Sequence, residues 1–125
     1  MTIGRVAKLQ ALVPVVFCPS GRPRSTIEFV VDTGFTEFLT LPQEVVSSMV
    51  LERVDSIEAE LADGRTVLLP VHAATVFWCG AEVVLPVLAT GHRPLLGTGL
   101  LKDLGLQVEF WEGGTVSVQP RARTP

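Results

Sequence analysis

One carboxylate in this chain stands where an acid can do chemistry. Asp32 follows Ile27-Glu28-Phe29-Val30-Val31, an apolar, β-branched run that reads as a buried strand, and is followed at once by Thr33 and Gly34. Burying a lone carboxylate costs several kcal/mol unless it is paired or protonated, so an inward-facing acid at a strand end needs a reason. Thr33 supplies a hydroxyl that can lock a tight loop. Gly34 supplies backbone freedom and room for another segment to approach. The plain reading is an Asp-x-Gly turn closing an ordinary strand; the chemical one is general acid–base work on a bound water.

No other acid has this setting. Asp63 precedes Gly64 and reads as turn chemistry, Asp55 falls in a charged linker, and Asp103 in Lys102-Asp103-Leu104 reads as a helix surface. His72, inside an apolar run, reads as a hydrogen-bonded structural residue, and His92, in a loop, as a solvated one. Cys18 and Cys79 form neither a CxxC pair nor a metal-ligand spacing with histidine. They read as buried free thiols of a reducing compartment, with a single disulfide as the alternative for an exported chain. No metal and no cofactor is expected.

The elements that must position Asp32 are mostly strands. Residues 5 to 17 alternate, with Ala7, Leu9, Ala11, Val13, Val15 and Phe17 on one side, and predict a single strand. The turn Pro19–Arg24, with its two arginines as a solvated tip, returns the chain into Thr26–Val31. Phe38–Leu41 is a short strand. Pro42 then opens a helix over Gln43–Val50, whose core stripe is Val45, Val46, Met49 and Val50. Residues 55 to 62 and Thr66–Trp78 form a hairpin about Asp63-Gly64, and Glu82–Ala89 follows as a strand that Pro86 places at an edge or a bulge. After the loop Thr90–Pro94 come Leu95-Leu96-Gly97, then a short helix over Thr98–Leu104, capped by Thr98 and stopped by Gly105. A terminal hairpin pairs Leu106–Phe110 with Thr115–Val118, and 119–125 reads as a frayed tail. The sum is one all-β domain over 1–125, closed or sandwich-like, with one or two short helices.

Composition narrows the partners. The 125 residues carry a net charge of −3 and offer no basic stripe for a phosphate backbone, so nucleic acid is not expected as a ligand. Hydrophobic residues reach 47% and mean hydropathy is +0.42, which favours a β-rich core plus a buried self-association surface. No apolar run is long enough to span a bilayer. Near the N-terminus, Lys8, Gln10 and Pro14 interrupt the only stretch that resembles a leader. A cytoplasmic protein without membrane attachment is expected.

An apolar strand, then Asp32-Thr33-Gly34, and later Leu95-Leu96-Gly97 ahead of a helix together resemble the retropepsin-like aspartic proteases (clan AA), in the small prokaryotic one-lobe form. The resemblance spans roughly residues 5 to 118. It implies a closed acid-protease barrel and an endopeptidase that acts as a homodimer. It makes Asp32 catalytic, Thr33 a brace across the dimer axis, Gly34 the motif glycine, and Leu96-Gly97 the pair behind the active-site loop. Asp63-Gly64 falls at the flap that closes over a peptide, although this chain has no tyrosine and no glycine-rich tip there. Phe35 stands where the family usually has Ser or Ala. Carboxylate-driven hydrolysis needs two acids, and with one such motif the second must be Asp32 of another copy, brought to a two-fold axis. Two readings stand beside the peptidase: a catalytically idle domain of the same fold that dimerises or binds peptide, and an unrelated β-barrel binding domain in which Asp-Thr-Gly is a plain turn.

Overall fold

The computed structural model describes residues 2–60 and 63–121. Ten strands and two short helices follow in the order β1 (Thr2–Ala7), β2 (Gln10–Phe17), β3 (Ser25–Val31), β4 (Leu39–Leu41), α1 (Gln43–Met49), β5 (Glu52–Glu60), β6 (Thr66–Trp78), β7 (Ala81–Ala89), β8 (Leu95–Leu96), α2 (Thr98–Leu101), β9 (Leu104–Val108) and β10 (Thr115–Pro120). The all-β class with short helices is what the alternation predicts.

All ten strands join one sheet in the order β5-β6-β7-β4-β8-β3-β2-β1-β10-β9. A further antiparallel pairing, Val16 with Phe77 and Phe17 with Val76, joins β2 to β6. It closes β2, β3, β8, β4, β7 and β6 into a ring, a barrel without internal edges. Two flanges leave this ring: β5, carried on β6, and the β1-β10-β9 group, carried on β2. Alternation fills the ring's interior. Val13, Val15, Phe17, Phe29, Leu39, Leu41, Val76, Val87 and Leu96 are essentially sealed from solvent, and the rings of Phe17 and Phe29 stack at 6.0 Å. Each such side chain contributes about 1.5–3 kcal/mol of burial.

Several elements differ from expectation. Residues 5 to 17 are two strands, because Lys8 and Leu9 both take positive φ (52° and 61°) and reverse the chain. Leu9 therefore points to solvent rather than into the core, whereas Ala11 to Phe17 alternate inward as predicted. Val50, assigned to the core stripe of α1, is its left-handed terminus and is exposed. The second helix stops at Leu101. Asp103, at φ 64°, turns the chain instead, so Leu104 and Gly105 already belong to β9 and Asp103 sits on a turn rather than a helix surface. Thr98 is the helix's first residue and Gly97 its cap. Asp55 lies within β5, beside a bulge opposite His72 and Val71. Gln119 and Pro120, read as tail, pair with Gly105 and Leu104. Leu61, assigned to the strand before the flap turn, lies outside the described residues, as do 122–125. Pro86 sits where β7 pairs with β6 alone, β4 joining only from Val87, so a missing donor on the other side costs nothing.

Candidate active site

Asp32 is the first residue beyond β3, and its place is fixed from behind by β8. The two leucines of β8 lie between β3, parallel to it, and β4, antiparallel to it. The Val30 N–H donates to the Pro94 carbonyl (2.9 Å) and the Asp32 N–H to the Leu96 carbonyl (3.0 Å). On the other side, the buried Thr40 hydroxyl oxygen accepts from the Leu95 N–H at 3.2 Å.

The loop after Asp32 is then held along its length. The Phe35 N–H donates to the Asp32 carbonyl (3.1 Å), closing a turn over Thr33-Gly34. The Gly34 N–H donates to Asp32 Oδ1 at 2.9 Å, so one carboxylate oxygen serves the loop. The next three carbonyl bonds come from the second motif: Gly97 N–H to Phe38 (2.8 Å), Thr98 N–H to Phe35 (2.8 Å) and Gly99 N–H to Glu37 (3.1 Å). The Thr98 hydroxyl also reaches the Phe35 carbonyl, at 3.4 Å.

These contacts leave no room for side chains. A Cβ on Gly97 would stand 2.2 Å from the Glu37 carbonyl oxygen and 2.6 Å from the Phe35 ring. One on Gly99 would stand 2.8 Å from the same oxygen and 2.9 Å from that of Thr36. Phe35 therefore lies half-buried with its ring over Gly97, turned back onto the second motif. Gly99 is a positioning residue that the sequence reading passed over, and the Gly-x-Gly spacing of Gly97-Thr98-Gly99 is the signal that marked it.

Asp32 itself is half-buried, not sealed as the strand pattern implies, because Val30 and Val31 are themselves only partly covered. Among the described residues Oδ2 has no hydrogen-bond partner and no cation pairs with the carboxylate. Thr33 is exposed, and its hydroxyl bonds nothing among the described residues. Thr33, Val30 and Val31 line a cleft of about 290 Å³ together with Leu9, Gln10, Ala11, Leu106, Val108 and Phe110.

Asp32, Thr33, Gly34, Leu96 and Gly97 thus come together in one bonded unit. Asp63 and Gly64 do not join it. They form the exposed turn between β5 and β6, where Asp63 Oδ1 accepts from the Arg65 N–H (3.0 Å) and Oδ2 pairs with the Arg65 guanidinium at 2.6 Å.

Other candidate residues fall elsewhere. His72 is buried, but its Nδ1 has no hydrogen-bond partner among the described residues, contrary to the bonded residue expected. Burial pushes its pKa below the usual 6.5, and Arg53 across the strand pair pushes the same way. Both cysteines are free. Cys18 is half-buried and Cys79 exposed, so the expectation of buried thiols fails for Cys79, which occupies a left-handed turn. Arg24, expected to be simply solvated, meets Glu82 at 3.2 Å. No group of three or more His, Cys, Asp or Glu among the described residues could hold a metal ion. No helix among them is long and apolar enough to cross a membrane.

The fold is retropepsin-like and mostly β. Among solved structures, a retropepsin-like aspartic protease from Rickettsia conorii superposes with a TM-score of 0.58 at 14% identity, over 95% of this chain and 91% of that one. No family model and no curated protein matches the sequence.

Proposed function

We propose that the chain is an aspartic endopeptidase that works as a homodimer, with Asp32 and Asp32 of the partner subunit forming one catalytic pair. The observation that carries this reading is the seat of Asp32. In a retropepsin-like fold, one carboxylate oxygen is committed to its own loop, the other is unbonded among the described residues, and the loop is fixed by Leu96, Gly97 and Gly99.

Two carboxylates within hydrogen-bonding distance cannot both ionise, so the pair holds one proton between them. The ionised member takes a proton from a bound water, whose oxygen attacks the scissile carbonyl carbon. The protonated member donates to the carbonyl oxygen as it gains charge. Collapse of the tetrahedral species breaks the C–N bond, and the departing nitrogen leaves with a proton from the pair. In this reading Thr33 braces the two loops across the axis through its hydroxyl. The hairpin of β5 and β6, with Asp63-Gly64 at its tip, closes over an extended peptide whose main chain pairs as an added strand.

Cleavage of a peptide library by wild type and by Asp32→Asn tests the reading, with sedimentation of both. Cleavage lost in Asp32→Asn with the dimer intact, and wild-type activity that declines at alkaline pH, is the expected result. Undiminished cleavage by the variant, or a rate that keeps climbing above neutrality, overturns it.

A further inference from the structure

The chain's charge is not spread evenly. Glu52, Asp55, Glu58, Glu60 and Asp63 stand between residues 52 and 65 against Arg53 and Arg65, whereas the rest of the chain carries eight acids and eight lysines and arginines. The whole net charge of −3 therefore sits on the hairpin of β5 and β6. Within it, Asp63 is already paired with Arg65, and the Arg53 guanidinium donates to the Ser56 hydroxyl at 2.8 Å. Among the described residues no cation pairs with Glu58 or Glu60.

The register places these two acids. Along β6, Thr66, Leu68, Pro70, His72, Ala74 and Val76 alternate onto one face. At its barrel end this face is core, with His72 7%, Ala74 3% and Val76 0% exposed. Toward the tip the same face is open, and Leu68 is 69% exposed. Glu58 lies directly opposite Leu68 and Glu60 opposite Thr66, and residues opposite one another in a ladder share a face. Both glutamates are exposed, while Ile57, Ala59, Val67 and Leu69 on the other face are half-buried. The usual order is thus inverted: carboxylates occupy the side that continues the barrel's interior, and apolar residues the side that faces away. At its root the same face also holds an unmet polar atom, since His72 Nδ1 is buried without a hydrogen-bond partner among the described residues, and a bound chain can satisfy such a group. A hairpin that only stiffened the sheet would gain nothing from carboxylates on this side. One that covers a cationic chain would.

We infer that the substrate is a basic segment, an extended stretch with Lys or Arg at alternate positions whose cationic side chains meet Glu58 and Glu60. The inference rests on the endopeptidase reading above and names the substrate class of that same site. Residues two apart on a strand lie about 6.5–7 Å apart, so Glu58 and Glu60 match side chains two apart on an extended peptide. Leu68, across the ladder from Glu58, offers apolar surface to the methylene stems of those side chains. The charge also acts before contact, because an acidic arm draws cationic chains toward it at low ionic strength.

The test starts from a peptide that wild type cleaves, remade at each pair of alternate positions with lysine or with norleucine, an uncharged residue of similar length. kcat and KM are measured for wild type, Glu58→Gln/Glu60→Gln, Glu58→Lys/Glu60→Lys and Glu44→Gln, which removes a charge from α1 instead. Wild type is expected to favour the best lysine peptide over its norleucine twin by roughly 10-fold in kcat/KM, chiefly through KM, and to lose most of that preference in about 0.5 M salt. The glutamine pair should bring the preference within about twofold while still cleaving the norleucine peptide, which shows that it is folded with its catalytic pair intact. The lysine pair should favour glutamate over lysine at the same positions, and Glu44→Gln should keep the wild-type preference. Equal cleavage of the two peptides by wild type, a preference that survives the glutamine pair, or one lost equally in Glu44→Gln overturns the inference and leaves the peptidase standing. A wild type that cleaves no peptide of a library overturns both.

Discussion

Two aspartates in this protein make the same local turn and come to opposite ends. Asp32 Oδ1 accepts the N–H of Gly34 at 2.9 Å, and Asp63 Oδ1 accepts the N–H of Arg65 at 3.0 Å, each bond reaching two residues on. Among the described residues the second oxygen of Asp63 is taken up by the guanidinium of Arg65, and a Cβ on Gly64 would meet nothing within 4 Å. Behind Asp32 stands a two-residue strand and a Gly-x-Gly segment so close that no Cβ fits at either glycine, while the second oxygen has no partner among the described residues. The turn is therefore not what makes a carboxylate available for chemistry. Rigid backing from distant residues is, together with a second oxygen that no cation takes up among the described residues.

The comparison is broken most directly by amidation. Asp32→Asn is expected to lower peptide cleavage by roughly 10²–10⁴-fold or more, with thermal stability nearly unchanged because the amide oxygen still serves Gly34. Asp63→Asn should leave the cleavage rate within about twofold, since surface groups of this kind contribute little. Equal losses would mean the two turns are equivalent after all.

Alanine at the glycines separates crowding from conformation. Gly97→Ala should cost about 3 kcal/mol in urea denaturation, because its φ of −94° suits any residue but its Cβ would strike backbone. Gly64→Ala should cost about 1 kcal/mol for the opposite reason, open space at φ +86°. Reversed magnitudes would sink the distinction.

The base of the hairpin that carries Asp63 should also respond to acid. His72 pairs with Arg53 there, and its pKa is lowered by burial first and by Arg53 second. Below 6.5, the ordinary value, the unfolded chain binds a proton that the folded one refuses. Stability therefore falls with pH from that point and levels off once the lower folded value is passed. Denaturation across this range should show the slope in wild type and a flatter one in His72→Leu. The smallest effect is expected for Arg65→Ala, within about 0.5 kcal/mol by thermal melting, since the ion pair it removes is exposed.

What could be read from the sequence follows from where its signals are local. Turn residues and long apolar runs gave β6 and β7, period-two alternation gave the terminal hairpin, and Asp-Thr-Gly with Leu-Leu-Gly marked the two segments that meet at Asp32. The failures fall where ordinary residues take left-handed backbone. Lys8, Leu9 and Asp103 turn the chain without the glycine or asparagine that usually announces it. Leu9 was lost from its face for that reason, and the second helix ran three residues too far. The burial of Asp32 was overstated because a run of β-branched residues looks the same whether one face of the strand is covered or both. The lone Nδ1 of His72 had no signal, since a hydrogen-bond partner is a property of neighbours from other strands.

The position of β8 has a consequence for how the protein is made. A chain leaving the ribosome carries its aspartate long before it carries Leu95 and Leu96, and until Gly99 has been added nothing lies between β3 and β4 to seat the loop. Until that point the loop that carries the acid has no fixed seat in the growing polypeptide. A truncation before Pro94 would keep the acid and lose the means of aiming it.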